Sequence, residues 1–141
     1  MAFFLRLGGG QEKMNHTMKQ DVEKHLRVAE ETLREMEYLL GGGFYRAVME
    51  RAYHAMINAA TAALLAKEIR SGARQAIVSE FKDAFVKTGL LDEKYYRYFS
   101  QAFNSRTESD DPAFASADHR QAQTTLLRVK DFIAACRVLC D

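Results

Sequence analysis

The sequence predicts an all-α protein, an up-and-down antiparallel bundle of four to five helices. Three observations indicate this fold class. The chain of 141 residues has one proline, so little interrupts helix formation. Three long segments carry apolar residues at alternating steps of three and four, which is the spacing of one helix face. Their shared period suits helices that pack at shallow angles, and 141 residues suit one domain.

The first two helices are predicted to form an antiparallel pair. The segment from about Thr17 to Leu40 is amphipathic, and three glycines at 41–43 follow it. Glycine adopts the left-handed conformation that ends helices at low cost, and so short a turn makes the next helix return antiparallel. That helix, Phe44 to Ala66, is rich in alanine and apolar around nearly its whole circumference. We therefore expect it to be the buried centre of the bundle.

Three more helices complete the predicted bundle. The third extends from about Arg74 to Lys87, and the fourth from Glu93 to Ser105. Asp92 precedes the fourth helix and is a suitable N-cap. The last helix is expected from about Ser116 to Leu139, after a polar stretch at 104–112.

Composition limits the location and the partners of the chain. Residues 1–15 lack periodicity and contain Gly8, Gly9 and Gly10, which predicts a disordered leader before a domain at 16–141. Twenty basic and nineteen acidic residues give a net charge of +1, so anion binding would have to be local. No segment approaches the ~20 apolar residues of a membrane span. Because two cysteines make a secreted disulfide framework improbable, we expect a cytoplasmic protein.

A polar stripe interrupts the apolar central helix. Its members follow each other at steps of three and four: Arg51, His54, Asn58 and Thr61. The stripe could line a groove or a dimer interface, or it could be the solvent face of the helix. An arginine in so apolar a helix needs a partner, because burying an unpaired charge costs on the order of several kcal/mol of folding free energy. A carboxylate from the 108–111 loop is the expected partner, and Glu50 and His54 could form a helical pair.

The sequence contains few other residues suited to metal binding, base stacking or phosphate binding. Glu108, Asp110 and Asp111 could hold a metal only if their loop curls, and Cys136 with Cys140 supplies two of the four ligands that zinc needs. The aromatic residues of the fourth helix could stack bases, but at helical spacing they favour core packing. Neither glycine triplet continues into a phosphate-loop sequence. We therefore expect no metal and no cofactor.

Three short motifs resemble a known family. The run Arg51–Met56 (RAYHAM) is similar to the R-A-Y-Y-A-M stretch of bacterial and archaeal HEPN domains, and Phe85–Gly89 (FVKTG) matches a motif of the same branch. The run Arg106–Asp110 (RTESD) resembles its R-x-x-S-D-Y motif, with Asp111 where tyrosine is expected. The resemblance covers roughly Met18 to Cys140. It implies a helical bundle similar to the helical domain of kanamycin-type nucleotidyltransferases, usually a homodimer.

The resemblance also implies a function. Members are often encoded beside a minimal nucleotidyltransferase, and many are metal-independent ribonucleases or toxins. In ribonuclease members four to six residues separate an arginine from a histidine, whereas at that separation from Arg106 this chain has Asp111, Pro112 and Ala113. We therefore expect a nucleotide- or RNA-associated binding module that acts with a minimal nucleotidyltransferase, in a toxin–antitoxin pair. The alternatives are a metal-independent ribonuclease with a degenerate site and a structural homodimer without such a ligand.

Candidate site residues follow from the stripe and the resemblance together. A ligand would be bound by six residues: Arg51, Tyr53, His54, Asn58, Arg106 and Asp110. Arg51 and Arg106 would contact phosphate and Tyr53 would stack on a base. If the chain cleaves RNA, Arg51, His54 and Arg106 are the candidate catalytic residues, with His54 as acid–base.

Overall fold

The computed structural model describes the backbone of residues 2–105 and 116–141, and the side chains of residues 16–105 and 116–141. The described part contains five α-helices and no strand, which confirms the predicted all-α bundle. The helices are α1 (Ala2–Gly41), α2 (Tyr45–Ala66), α3 (Arg74–Phe81), α4 (Glu93–Ser105) and α5 (His119–Cys140).

The long helices alternate in direction along the chain. Glu35 of α1 lies beside Arg51 of α2, and His25 lies beside Asn58, so α1 and α2 are antiparallel. Two of the contacts between α4 and α5, Tyr95 with Asp131 and Gln101 with Arg128, show that this pair is antiparallel too. The order up, down, up, down is therefore that of the predicted bundle, with α3 in the connection between α2 and α4.

Helix ends follow the predicted capping chemistry in part. Gly43, with φ +82°, ends the turn after α1, and the Asp92 Oδ1 atom accepts a hydrogen bond from the Lys94 N–H group at 2.8 Å at the start of α4. The last helix begins later than predicted, because Asp118 and Gln121 form a reciprocal capping box that fixes the start at His119.

The third helix also differs from its predicted form. The α-helix ends at Phe81, and the chain continues as a π-helical turn, Lys82–Val86, before Gly89 at φ +80°. The aromatic rings of Phe81 and Phe85 are fully buried and lie 5.3 Å apart, edge to face. The two large rings therefore pack at the π-helical turn, which is wider than an α-helical one. Apolar periodicity in the sequence does not predict such a turn.

The backbone of α1 extends from Ala2, where the sequence predicts a disordered leader at residues 1–15. The domain boundary at residue 16 stays a prediction. From Val22 onward the apolar face of α1 is buried against the bundle, with Leu26, Ala29 and Met36 at most 1% exposed.

The hydrophobic core is built around α2 and includes a cluster of aromatic rings. Five alanines of α2 are fully buried, namely Ala55, Ala59, Ala60, Ala62 and Ala63. Small side chains allow neighbouring helices to approach closely. Next to them the rings of Phe81, Phe99 and Phe132 pack at centroid distances of 5.2–5.5 Å. The aromatic segment of α4 therefore contributes Phe99 to the core, as its helical spacing predicts.

Close packing around α2 makes a specific prediction for stability. Replacing Ala59 with leucine forces an isobutyl group into a fully buried site, so Ala59→Leu should lower the free energy of unfolding by about 1–3 kcal/mol in urea denaturation. The control is Ala134→Leu at an exposed position of α5, where a change of about 0.5 kcal/mol or less is expected. Equal effects of the two substitutions would contradict the close packing.

Candidate functional site

The polar stripe of α2 faces a groove between α1, α2 and the start of α3. The cavity has a volume of about 470 Å³. His54, Asn58 and Thr61 line it from α2, His25, Asp21 and Lys24 from α1, and Arg70, Ser71 and Arg74 from the α2–α3 connection and the start of α3. A cavity of this size suits a small ligand such as one nucleotide.

Asn58 connects the two helices at the centre of the groove. Its Nδ2 group donates to the backbone carbonyl of His54 at 2.9 Å, one helical turn earlier. Its Oδ1 atom lies 2.9 Å from Nδ1 of His25 on α1. Both ends of the amide are therefore engaged, and they hold the His25 ring in place.

The basic side chains in the groove outnumber the acidic ones. Lys24, Arg70 and Arg74 line the cavity, whereas Asp21 is the one carboxylate that does so, and it lies 3.4 Å from Nη2 of Arg70. Among the described residues no ion pair joins Lys24 or Arg74 to a carboxylate. The groove is therefore a local cationic site in a chain whose net charge is +1.

Arg51 lies one turn before His54 and has a different partner from the predicted one. Its Nη2 group lies 3.1 Å from Oε2 of Glu35 on α1. The 108–111 loop, predicted to supply the carboxylate, lies outside the described residues. Glu50 pairs with Arg46 at 3.0 Å rather than with His54. Arg51 therefore connects α2 to α1 by an ion pair at the edge of the groove.

The environment of His54 disfavours its charged form. Burial is the main cause that lowers its pKa from the ordinary value of 6.5, and the guanidinium groups of Arg51 and Arg74 lower it further, while Glu35 opposes them. His54 is therefore largely neutral at pH 7. A neutral imidazole can accept a proton or a hydrogen bond.

Tyr53 lies on another face of α2. Its ring is 7% exposed, and it packs against Phe99 at 6.5 Å and Phe103 at 5.8 Å. The ring therefore lies on the α4 side of α2 rather than in the groove, and its role in base stacking stays a prediction. A second cavity of about 500 Å³, between α2, α4 and α5, reaches Tyr53 and is lined by Arg46 and Arg128.

The structure thus brings together His54, Asn58 and Thr61, places Arg51 next to them and separates Tyr53 from them. Arg106 and Asp110 lie outside the described residues. Sequence reasoning missed His25, Lys24, Arg70 and Arg74. The charged segment Lys67–Arg70 at the exit of α2 is visible in the sequence, but the pairing of His25 with Asn58 joins residues that lie 33 positions apart.

The cysteines and carboxylates do not form a metal site in the described part. Burial raises the pKa of the Cys136 thiol well above its ordinary value and that of Cys140 to about 11. Both thiols are therefore protonated at neutral pH and are poor metal ligands. No group of three or more His, Cys, Asp or Glu side chains close enough to hold a metal occurs among the described residues. In the same residues, no helix is both long enough and apolar enough to cross a membrane.

Comparisons with known proteins agree with the motifs. The sequence model of the HEPN domain matches residues 22–139. A Methanocaldococcus jannaschii protein named "Putative toxin MJ0142" is 31% identical over 77% of this chain and 74% of that protein. A second one, "Putative toxin MJ0605", is 28% identical over 69% of this chain and 72% of that protein. The "UPF0332 protein PH1297" of Pyrococcus horikoshii is 34% identical over 59% of this chain and 58% of that protein.

The lowered pKa of His54 predicts a pH-dependent stability. As the pH falls from about 7 to about 5, the unfolded chain takes up a proton at this residue before the folded chain does, so His54 reduces stability in that window. Replacing it with glutamine removes this loss. The stability of His54→Gln relative to wild type should therefore rise as the pH falls, measured by urea denaturation at each pH.

The control for this experiment is His16→Gln, at an exposed position of α1 outside the groove. Its effect on stability at each pH is the reference with which the pH trend of His54→Gln is compared. A relative stability of His54→Gln that stays constant, or falls on acidification, would contradict the unfavourable environment assigned to His54.

Proposed function

Because the chain belongs to the HEPN domain family, we propose that it is the nucleotide- or RNA-associated binding member of a toxin–antitoxin pair. Two relatives are named "Putative toxin", which supports the toxin–antitoxin part of this proposal. The partner in this proposal is a minimal nucleotidyltransferase, and the working form is a cytoplasmic homodimer. Light scattering of the purified chain, with and without that partner, tests both associations.

One observation carries the binding proposal, namely the cationic groove between α1, α2 and α3. Arg70 and Arg74 supply planar guanidinium groups that suit phosphate, and Lys24 adds a third positive charge. The groove is concave, and three residues of the predicted polar stripe, His54, Asn58 and Thr61, line it. Negative phosphate is the ligand chemistry that these charges attract most strongly.

Binding can be measured by fluorescence anisotropy of a labelled short RNA and a labelled ATP, with EDTA present. Arg74→Ala should weaken RNA binding at least about tenfold, because a charge-assisted hydrogen bond to phosphate is lost. The slope of log affinity against log salt concentration should become shallower by about 0.7, the value for one phosphate contact on a single strand.

Arg120→Ala is the matched control, since Arg120 is exposed at the start of α5, beside the other end of α2. It should leave affinity and salt dependence unchanged. Absence of RNA and nucleotide binding by the folded wild-type chain would refute the binding module and favour a structural homodimer.

Metal-independent RNA cleavage is the second candidate, and the placement of His54 favours it. An imidazole that is neutral at pH 7 could take the proton of a ribose 2′-hydroxyl, while the guanidinium groups of Arg51 and Arg74 stabilise the negative charge on the attacked phosphate. The 5′-oxygen would leave with a proton from solvent.

We expect no cleavage, because Arg106 lacks the histidine that ribonuclease members place after it. The assay is RNA cleavage by the purified chain in EDTA, alongside Arg51→Ala, His54→Ala and Arg106→Ala. Cleavage by wild type that these substitutions abolish would replace the binding module with a ribonuclease. Cleavage that persists in all three variants would indicate a contaminating nuclease.

A further inference from the structure

The hydrogen bonds of Asn58 determine which nitrogen of His25 carries the hydrogen. The Asn58 Nδ2 group is committed as a donor to the His54 carbonyl, which fixes the orientation of the amide. Its Oδ1 atom therefore faces Nδ1 of His25, 2.9 Å away. A carbonyl oxygen accepts but cannot donate, so Nδ1 of His25 must be the donor.

The other ring nitrogen, Nε2, is then the acceptor of the neutral ring. In a neutral imidazole one nitrogen bears the hydrogen and the other bears a lone pair. Because His25 lines the cavity, the groove gains an oriented acceptor next to its cationic side chains. The same logic underlies the role of an amide or carboxylate that holds a catalytic or metal-binding histidine in one tautomer.

Two hydroxyl groups in the groove also use their hydrogen within the protein and keep lone pairs as acceptors. The Thr61 hydroxyl donates to the Ile57 carbonyl at 2.6 Å, and the Ser71 hydroxyl donates to the Ala73 carbonyl at 3.1 Å. Each oxygen then has lone pairs left to offer to a ligand. The described groove therefore combines cations, which donate to phosphate, with acceptors that need a hydroxyl or amine donor.

A phosphodiester has no hydrogen to offer to an acceptor nitrogen. Lys24, Arg70 and Arg74 can satisfy the phosphate oxygens. Nε2 of His25 can accept from a neutral donor of the same ligand. The ribose 2′-hydroxyl is such a donor, and it lies next to the 3′-phosphate of a ribonucleotide. The 2′-hydroxyl is the group by which proteins distinguish RNA from DNA. A deoxyribose ligand lacks this donor.

We propose that His25, held by Asn58, reads the ribose 2′-hydroxyl and makes the groove selective for ribonucleotides over deoxyribonucleotides. This inference rests on the proposed function, since it names the ligand class of the same groove. The cations set the overall affinity and His25 sets the sugar preference. The two contributions are separable by mutation.

The experiment compares a labelled oligouridylate with the 2′-deoxy oligonucleotide of the same sequence in anisotropy titrations. Wild type should bind the ribose form about two- to tenfold more tightly, the range that one neutral hydrogen bond supports. His25→Phe keeps a ring of similar size without the acceptor. It should weaken binding of the ribose form to the level of the deoxyribose form, whose affinity stays unchanged.

Two further variants separate tautomer control from simple packing. Asn58→Ala removes the oxygen that accepts from Nδ1 while the His25 ring remains, so it should reduce the ribose preference although both oligonucleotides still bind. His16→Phe, at the exposed position of the same helix, should behave as wild type. Circular dichroism and urea denaturation establish that each variant is folded.

The outcomes distinguish this inference from the proposed function. Equal binding of both oligonucleotides by wild type would overturn the role of His25 and leave the binding module in place. Equal weakening of both by His25→Phe would show that the ring supports the groove without reading the sugar, and would also overturn it. No binding of either oligonucleotide by the folded chain would refute the proposed function itself.

Discussion

The burial of α2 on nearly every side is the constraint on which the rest of the structure depends. A helix so rich in alanine has little apolar area per residue, so it gains stability only if neighbours approach it closely from several directions. The long helices α1 and α5 do so along its length, and α3 and α4 cover what remains. The core then consists of small side chains along α2 and large aromatic rings, such as Phe81 and Phe132, where α3, α4 and α5 meet.

Because α2 is buried on nearly every side, the partners of its polar groups matter for stability. Polar atoms on a helix surrounded by neighbours must find partners, because an unsatisfied buried group costs about 1–3 kcal/mol. Asn58 and Thr61 satisfy their donors on backbone carbonyls of their own helix, and Arg51 reaches Glu35 on α1. The contact between Asn58 and His25 therefore both satisfies the amide of α2 and fixes a ring that lines the groove.

Much of this fold can be predicted from the sequence, because helical period and glycine position are local signals. The extent of α4, the end of α2 and the glycine turn before α2 follow from them. The π-helical turn after Phe81 and the pairing of His25 with Asn58 do not, since each depends on packing between segments distant in the chain. The sequence alone is enough to predict that Tyr53 and Arg51 lie on different faces of α2, because residues two positions apart in a helix project in different directions.

The position of the groove bears on how the family motifs should be interpreted in this chain. The His54–Thr61 part of the stripe faces α1 and the start of α3, whereas Tyr53 faces α4, so the two sides of α2 meet different neighbours. The cations of the first side come from Lys24, Arg70 and Arg74, all outside the R-A-Y-Y-A-M-like and R-x-x-S-D-Y-like segments. The motifs identify the fold, and the chemistry of the groove depends on the residues that α1 and the α2–α3 connection bring to it.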